Sequence, residues 1–175
     1  MRHIMKKIVV AGGCFWGVAE YYRRLKGVTH VEAGYAQGKT NNPTYEQVSY
    51  TDTNHAEVVE VTYDASKISL MKILEHLFRM IDPTSLNKQG NDVGTQYRTG
   101  VYYSDVEDLE IIETFIGLQR KQYEQEIVVE VEPLDKFWIA EQYHQDYLIK
   151  NPTGYCHIDM SLIEDHERKE DISPK

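Results

Sequence analysis

Cys14 lies in the stretch Gly12-Gly13-Cys14-Phe15-Trp16-Gly17, where the short apolar run Ile8-Val9-Val10-Ala11 gives way to a helical pattern. A strand that feeds through a glycine turn into a helix leaves this thiol at the helix N-terminus, where unpaired backbone N–H groups and the positive end of the macrodipole favour an anion. A free thiol with an ordinary pKa of about 8.5 is expected to shift there toward thiolate, the form that attacks electrophiles. The two rings that follow, Phe15 and Trp16, would wall a small apolar pocket beside it. Against this stands the commoner fate of an unpaired cysteine, a small side chain packed in the core. Lys6 and Lys7 ahead of the apolar run, with Ala11-Gly12-Gly13 before the cysteine, also have the look of a lipoprotein signal. Residues 8–11 are too few for the roughly 7–15 apolar residues such a signal needs.

Other groups able to handle a proton or a polar oxygen sit in segments that read as loops or strand ends: Tyr45 after Asn42-Pro43-Thr44, Glu57 after His55-Ala56, and Asp92 and Tyr97 within Gly90-Asn91-Asp92-Val93-Gly94-Thr95-Gln96-Tyr97-Arg98. Loops carried by a rigid sheet are where sites are built. Each residue also has a plainer reading. Glu57 would be an ordinary charge at a strand's wet end, the tyrosines half-buried rings with satisfied hydroxyls, and Asp92 a turn residue beside glycine.

The elements that must hold these groups follow from hydrophobic period. The pattern predicts a strand over 7–11, a helix over 15–26 stopped by Gly27, and a strand over 28–35. A polar loop is expected around Asn41-Asn42-Pro43-Thr44, and then a strand over 56–63, in which Val59, Val61 and Tyr63 alternate with Val58, Glu60 and Thr62. Ser69 is placed to cap a helix over 70–80 striped by Leu70, Ile73, Leu74, Leu77 and Phe78. Further strands are predicted over 100–103 and 127–131, a long helix over 106–123, and a short helix over 141–150. This order resembles a two-layer α+β sandwich with a ferredoxin-like βαββαβ core and C-terminal extensions.

The chain of 175 residues, 41% hydrophobic, is expected to form one catalytic-sized domain over 1–175, with the charged run 164–175 as a solvated, disordered tail. A net charge of −9 argues against nucleic acid as a partner. No run reaches the ~18 apolar residues of a membrane span, so a cytoplasmic protein is expected. In a reducing compartment its two cysteines, Cys14 and Cys156, are not expected to form a structural bridge, which leaves a transient catalytic disulfide open. The histidines show no spacing of a zinc site, so no metal is expected, and His144 reads as a structural hydrogen-bonding residue.

Taken together, Gly13-Cys14-Phe15-Trp16-Gly17, Gly34-Tyr35, Asn42-Pro43-Thr44-Tyr45, His55-Ala56-Glu57, Asp92-Val93-Gly94-Thr95-Gln96-Tyr97-Arg98 and Gln142-Tyr143-His144-Gln145-Asp146-Tyr147 resemble, in order, the peptide methionine sulfoxide reductase A family. The resemblance implies reduction of the S epimer of methionine sulfoxide, free or in oxidised proteins, with no metal or bound organic cofactor. A monomer is expected. It implies Cys14 as nucleophile, Phe15 and Trp16 as the walls of a methyl pocket, Glu57 as the acid that protonates the sulfoxide oxygen, Tyr45 and Tyr97 as donors to that oxygen, and Asp92 as a support of the substrate-binding network. It also implies Cys156 as the resolving thiol of a Cys14–Cys156 disulfide reduced by thioredoxin. Two other readings compete with it: a thiol peroxidase or disulfide oxidoreductase, which lacks the support of a Cys-x-x-Cys motif, and a noncatalytic module that holds thioethers in the aromatic pocket.

Overall fold

In the first strand, β1 (Met5–Gly12), Ile8 and Val10 point to one face and Val9 and Ala11 to the other, and all four are buried. A strand hidden on both faces has to run through the middle of a sheet. In the computed structural model, which describes residues 4–170, β1 pairs antiparallel with β3 (Ala56–Asp64) on one side and β6 (Thr99–Tyr103) on the other. Beyond β3 lies β2 (Val28–Ala36), edged by the short β8 (Phe137–Ile139), and beyond β6 lies β7 (Glu130–Pro133), the one parallel partner in this sheet. The sheet order is therefore β7-β6-β1-β3-β2-β8.

Helices α1 (Phe15–Arg23), α3 (Leu70–Met80) and α4 (Val106–Arg120) bury their apolar stripes in one cluster with Val10, Val59, Val61 and Val101. Ser69 Oγ accepts from the Lys72 N–H at 3.1 Å, and α3 spans the residues its stripe predicts. The opposite face of the sheet carries a small cluster of Val9, Ala11, Ala36, Ala56, Val58 and Tyr102, against which Leu134 and Phe137 pack. The fold is α+β with helices on one main face. Among the described residues no helix is long and apolar enough to cross a membrane.

The sequence pattern misplaces several edges. The first helix stops at Arg23 rather than 26, the helix begun at Val106 stops at Arg120 rather than 123, and the strand expected over 127–131 begins at Glu130. The expected polar loop continues into α2 (Tyr45–Tyr50), whose capping box joins Thr44 Oγ1 to the Gln47 N–H at 3.1 Å and Gln47 Oε1 to the Thr44 N–H at 2.9 Å. A ribbon of β4 (Lys88–Gln89) and β5 (Asp92–Val93) was not anticipated. The helix expected over 141–150 is broken: a 3₁₀ turn at Gln142–His144 and α5 (Tyr147–Lys150) flank Asp146, which adopts the left-handed conformation at φ 53°.

The charged run from Glu164 is not a free tail as far as it is described. Residues 164–170 dock on α1 and α3, while 171–175 lie outside the described residues. The Lys26 N–H donates to Glu167 O at 2.9 Å, the Lys169 N–H donates to Arg24 O at 2.8 Å, and Arg168 bridges Leu25. The buried Glu167 carboxylate accepts from Arg79 Nη1 at 2.7 Å and Nη2 at 3.1 Å, and Lys72 Nζ stands 3.1 Å away. The run reads as solvated because charge alone does not reveal partners, and these partners lie roughly 90 to 145 residues earlier in the chain. Glu164, His166 and Glu167 also bring three ligand-type atoms within 4.8 Å, but Glu167 is committed to Arg79 and Lys72 and the other two are exposed.

Burial alone would raise the Glu167 pKa, yet the hydrogen bonds from Arg79, the Glu164 N–H and Lys72 outweigh it and hold the carboxyl below its usual range. A depressed carboxyl contributes stability that is full above the unfolded value of about 4.3 and is lost as pH falls. Glu167→Gln is therefore expected to lower stability at pH 7 by roughly 1–3 kcal/mol, the scale of hydrogen bonds to charged groups. Denaturant midpoints should converge with wild type as pH drops below about 4. Equal midpoints at pH 7 would show that the docking contributes nothing.

Candidate active site

Strand alternation decides where Glu57 goes. It shares parity with Val59, Val61 and Tyr63, so its side chain enters the helix-covered face rather than the wet end expected of a strand-edge charge. There it is 1% exposed, and Oε1 accepts the Phe15 N–H of α1 at 3.2 Å. Oε2 is buried with no partner among the described residues. Burial drives its pKa up to about 8, the Phe15 N–H opposing and Asp92 adding to the shift. At neutral pH the carboxyl is mostly protonated, with its proton free to sit on Oε2.

Cys14 is the N-cap of α1, reached from β1 through Gly13 alone. Gly13 has φ 89°, a left-handed conformation, and a Cβ there would lie 2.9 Å from Gln89 Cβ, so both backbone and space require glycine. The thiol is buried, and the expected shift toward thiolate is overturned. Burial pushes its pKa well up and Glu57 adds to this, against a smaller lowering from the Trp16 N–H. Only the last of these is the helix-terminus effect, and burial exceeds it. Thiol and carboxyl lie within electrostatic reach of each other, the carboxyl bonded to the residue next to Cys14, and both are protonated at neutral pH.

Tyr45, Tyr97 and Asp92 converge on this pair from three separate elements. Tyr45 opens α2, Tyr97 closes a 3₁₀ turn and Asp92 opens β5. Burial raises the pKa of both tyrosines, and Glu57 and Cys14 lie within electrostatic reach of each, so both hydroxyls stay protonated donors. Asp92 accepts from Tyr155 Oη at 3.0 Å.

Phe15 and Trp16 form the apolar wall with residues from the far end of the chain. Trp16 stacks on Tyr147 with ring centroids 3.7 Å apart and donates from Nε1 to His144 Nδ1 at 2.9 Å. His144, buried and held neutral by that burial, also meets the rings of Phe15, Tyr45 and Tyr143. Glu141 ties this layer down: it accepts from Tyr35 Oη at 2.8 Å and from the Tyr45 N–H at 2.9 Å.

Cys156 lies against the first turn of α1. A Cβ on Gly17 would come within 3.1 Å of Cys156 Sγ, so the glycine permits this approach. The thiol donates to Ile158 O at 3.3 Å, and burial raises its pKa. Next to it, His157 Nε2 donates to Gly12 O at 3.0 Å, fixing the loop to the end of β1. Both cysteines are free. Glu141, Tyr147, Tyr155 and His157 were not singled out by sequence. Polar and aromatic residues in late irregular segments carry no clear periodicity, and the resemblance marked that region through the block from Gln142 to Tyr147 and through Cys156 without giving these four residues a role.

A proton-bearing carboxyl beside a buried thiol, with a second thiol on the adjoining helix surface, defines a thiol-dependent oxidoreductase that works on a polar oxygen in an apolar setting. The model of the peptide methionine sulfoxide reductase family matches residues 6–175, and the chain belongs to that family. It is 56% identical over 156 residues to the peptide methionine sulfoxide reductase MsrA of Clostridium perfringens, covering 89% of this chain and 99% of that one. It is 54% identical over 159 residues to the MsrA of Ureaplasma urealyticum serovar 10, covering 91% and 96%. Among solved structures, reduced Mxr1 from Saccharomyces cerevisiae superposes with a TM-score of 0.83 at 36% identity, covering 87% of this chain and 88% of that one. The yeast protein has also been seen in complex with Trx2, where the likeness is weaker, at a TM-score of 0.59 and 24% identity over 84% of this chain and 89% of that one.

A carboxyl held protonated by its site opposes folding wherever the unfolded chain would ionise it. Its penalty grows from the unfolded pKa of about 4.3 and levels off above the folded value of about 8. Glu57→Gln, uncharged at every pH, should therefore be more stable than wild type near pH 8, by on the order of 1–3 kcal/mol. The advantage should shrink toward pH 5. Thermal melts across that range check it, and a variant destabilised at pH 7 would mean that Glu57 is ionised in the fold at neutral pH.

Proposed function

We propose that this protein reduces the S epimer of methionine sulfoxide, free or within proteins, at Cys14. The observation that carries the reading is the juxtaposition of the buried Cys14 thiol with the largely protonated Glu57 carboxyl. Phe15 and Trp16 receive the S-methyl group, and Asp92 supports the binding network. The sulfoxide oxygen faces Glu57 Oε2 and the Tyr45 and Tyr97 hydroxyls. As Cys14 sulfur bonds to the sulfoxide sulfur, Glu57 protonates the oxygen and the thiol proton restores the carboxyl. The hydroxyl then passes to Cys14 as the bond between the two sulfurs breaks. Net, S–H and S=O become S–OH and a thioether: Cys14 is oxidised by two electrons and the methionine sulfur is reduced by two. No proton is gained or lost, which suits a site that begins with both groups protonated.

Cys156 resolves the sulfenic acid, forming a Cys14–Cys156 disulfide and water, and a dithiol returns both thiols. The approach of Cys156 to Gly17 supports the pairing. Disulfide geometry requires Cα atoms within about 7 Å. The complex of yeast Mxr1 with Trx2 supports thioredoxin as the dithiol. We read the chain as one catalytic domain, a cytoplasmic monomer with no metal and no nucleic-acid partner; the net charge of −9 supports the last point. The central order β6-β1-β3-β2, with its two flanking helices α1 and α3, supports a ferredoxin-like description of the core.

The S epimer of a blocked methionine sulfoxide should turn over with thioredoxin and the R epimer should not; comparable rates would refute the chirality. Glu57→Gln is expected to lose about 10²–10⁴-fold in rate while Cys14 still alkylates. Wild-type kcat should fall as pH rises through about 8, because the acid form of Glu57 is lost. In Cys156→Ser, rapid quench should find one methionine per enzyme and a dimedone-trappable Cys14. Full thioredoxin-dependent turnover by that variant would remove Cys156 from the cycle.

A further inference from the structure

Cys156 lies in the irregular loop between α5 and a 3₁₀ turn at Met160–Leu162, so no helix or strand sets its position. Its thiol is engaged with Ile158 O at 3.3 Å and stands against Gly17, about one helical turn beyond Cys14. To form a disulfide it must leave that carbonyl and cross the turn. What keeps it close while it does so is the backbone on either side. Tyr155, on one side, bonds to Asp92 at 3.0 Å, the residue proposed to support the substrate. His157, on the other, is tied down without involving the substrate.

The imidazole of His157 occupies a slot built for it. A Cβ on Gly13 would lie 3.0 Å from His157 Nε2, and one on Gly90 would lie 3.5 Å from His157 Cβ. Gln89 beside them is buried and locked by two bonds to Asp82, accepting its N–H at 3.0 Å and donating to its carbonyl at 2.9 Å. Within the slot His157 Nε2 donates to Gly12 O at 3.0 Å, a contact between residues 145 positions apart. A carbonyl only accepts, so Nε2 carries the hydrogen. Nδ1 is buried with no hydrogen-bond partner among the described residues, which leaves the Gly12 bond as the ring's polar tie there. Gly12 stands just ahead of Gly13 and Cys14, and His157 directly follows Cys156, so this bond closes a short path between the two thiols.

We infer that His157 is a positioning residue for the resolving step: its bond to Gly12 holds Cys156 at high effective concentration beside the oxidised Cys14. It rests on the proposed cycle of sulfenic acid and disulfide. In that step the Cys156 sulfur bonds to the Cys14 sulfur as the S–O bond of the sulfenic acid breaks, and the Cys156 proton leaves with the hydroxyl as water. The Cys14 sulfur is formally reduced by one electron and the Cys156 sulfur oxidised by one. His157 exchanges no atom in this balance. It acts by where it keeps the loop.

The test compares His157→Gln, whose Nε2 can still donate to Gly12 O, with His157→Leu and His157→Ala, which have no donor. After mixing with methionine sulfoxide and no reductant, quenching with dimedone follows the sulfenic acid on Cys14. Its conversion to disulfide should slow about 3- to 10-fold in the Leu and Ala variants, the scale of one hydrogen bond, and stay within about two-fold of wild type in the Gln variant. The burst of methionine that precedes it should be unchanged in all three. Equilibration with reduced and oxidised glutathione measures the same proximity without any sulfoxide. By linkage, an anchor that favours the disulfide is favoured by it, so the Cys14–Cys156 disulfide should be less stable in the donorless variants by the same factor. A Gln variant as impaired as the Leu and Ala variants would overturn the inference by moving the role to Nδ1. Wild-type disulfide rates and glutathione equilibria in the donorless variants would overturn it too. Should the wild type reduce no sulfoxide, the reductase reading fails, and the glutathione equilibria still decide whether His157 positions the pair.

Discussion

The 3.2 Å hydrogen bond from the Phe15 N–H to Glu57 joins the first turn of α1 to the middle of the sheet, and the rest of the site depends on it. A helix N-terminus needs acceptors and a buried carboxyl needs donors, so each satisfies part of the other's demand. What remains unsatisfied is Oε2, and a buried oxygen without a partner favours the protonated acid. The same burial keeps the Cys14 thiol protonated. The site thus stores two protons where an ordinary surface would hold a thiol and a carboxylate.

Around that pair the chain builds a rigid aromatic layer from distant segments. Trp16 cannot set its own orientation from α1; Tyr147 stacks on one face and His144 takes its N–H. Those residues are held in turn by Glu141 and Gln145, whose side chains bond to Tyr35, Tyr45 and Ala33. Each such bond is worth about 1–3 kcal/mol, those to the Glu141 carboxylate at the upper end. Their value here is geometric, because a shift of the indole would move the wall of the pocket.

The far end of the chain is wrapped along α1 by polar contacts at both ends. His157 bonds to Gly12 at the start of the wrap, and Glu167 meets Arg79 and Lys72 near its finish. Between them Ile158 and Ile163 are buried. Cys156 is thereby presented to Gly17 by a segment anchored on either side, a second thiol placed by tertiary contacts and not by sequence proximity to Cys14.

The amino-acid sequence by itself determined the central strands, the span of α3 and the placing of Cys14 at a helix start, because each rests on a local period or a local turn. The six ordered motif blocks likewise marked the family. Local signals that were present but faint, such as the Thr44–Gln47 capping box, lie in segments too short for periodicity to register. Only the tertiary structure decided the charge states. Helix polarity predicted a thiolate at Cys14, but the magnitude of burial and the carboxyl beneath it depend on β3 lying under α1, more than forty residues along the chain. It alone also decided that the charged run from Glu164 docks and how deeply the Glu57 acid that the resemblance implied is buried. Ionisation follows from the neighbours a group acquires on folding, and those neighbours are distant in sequence.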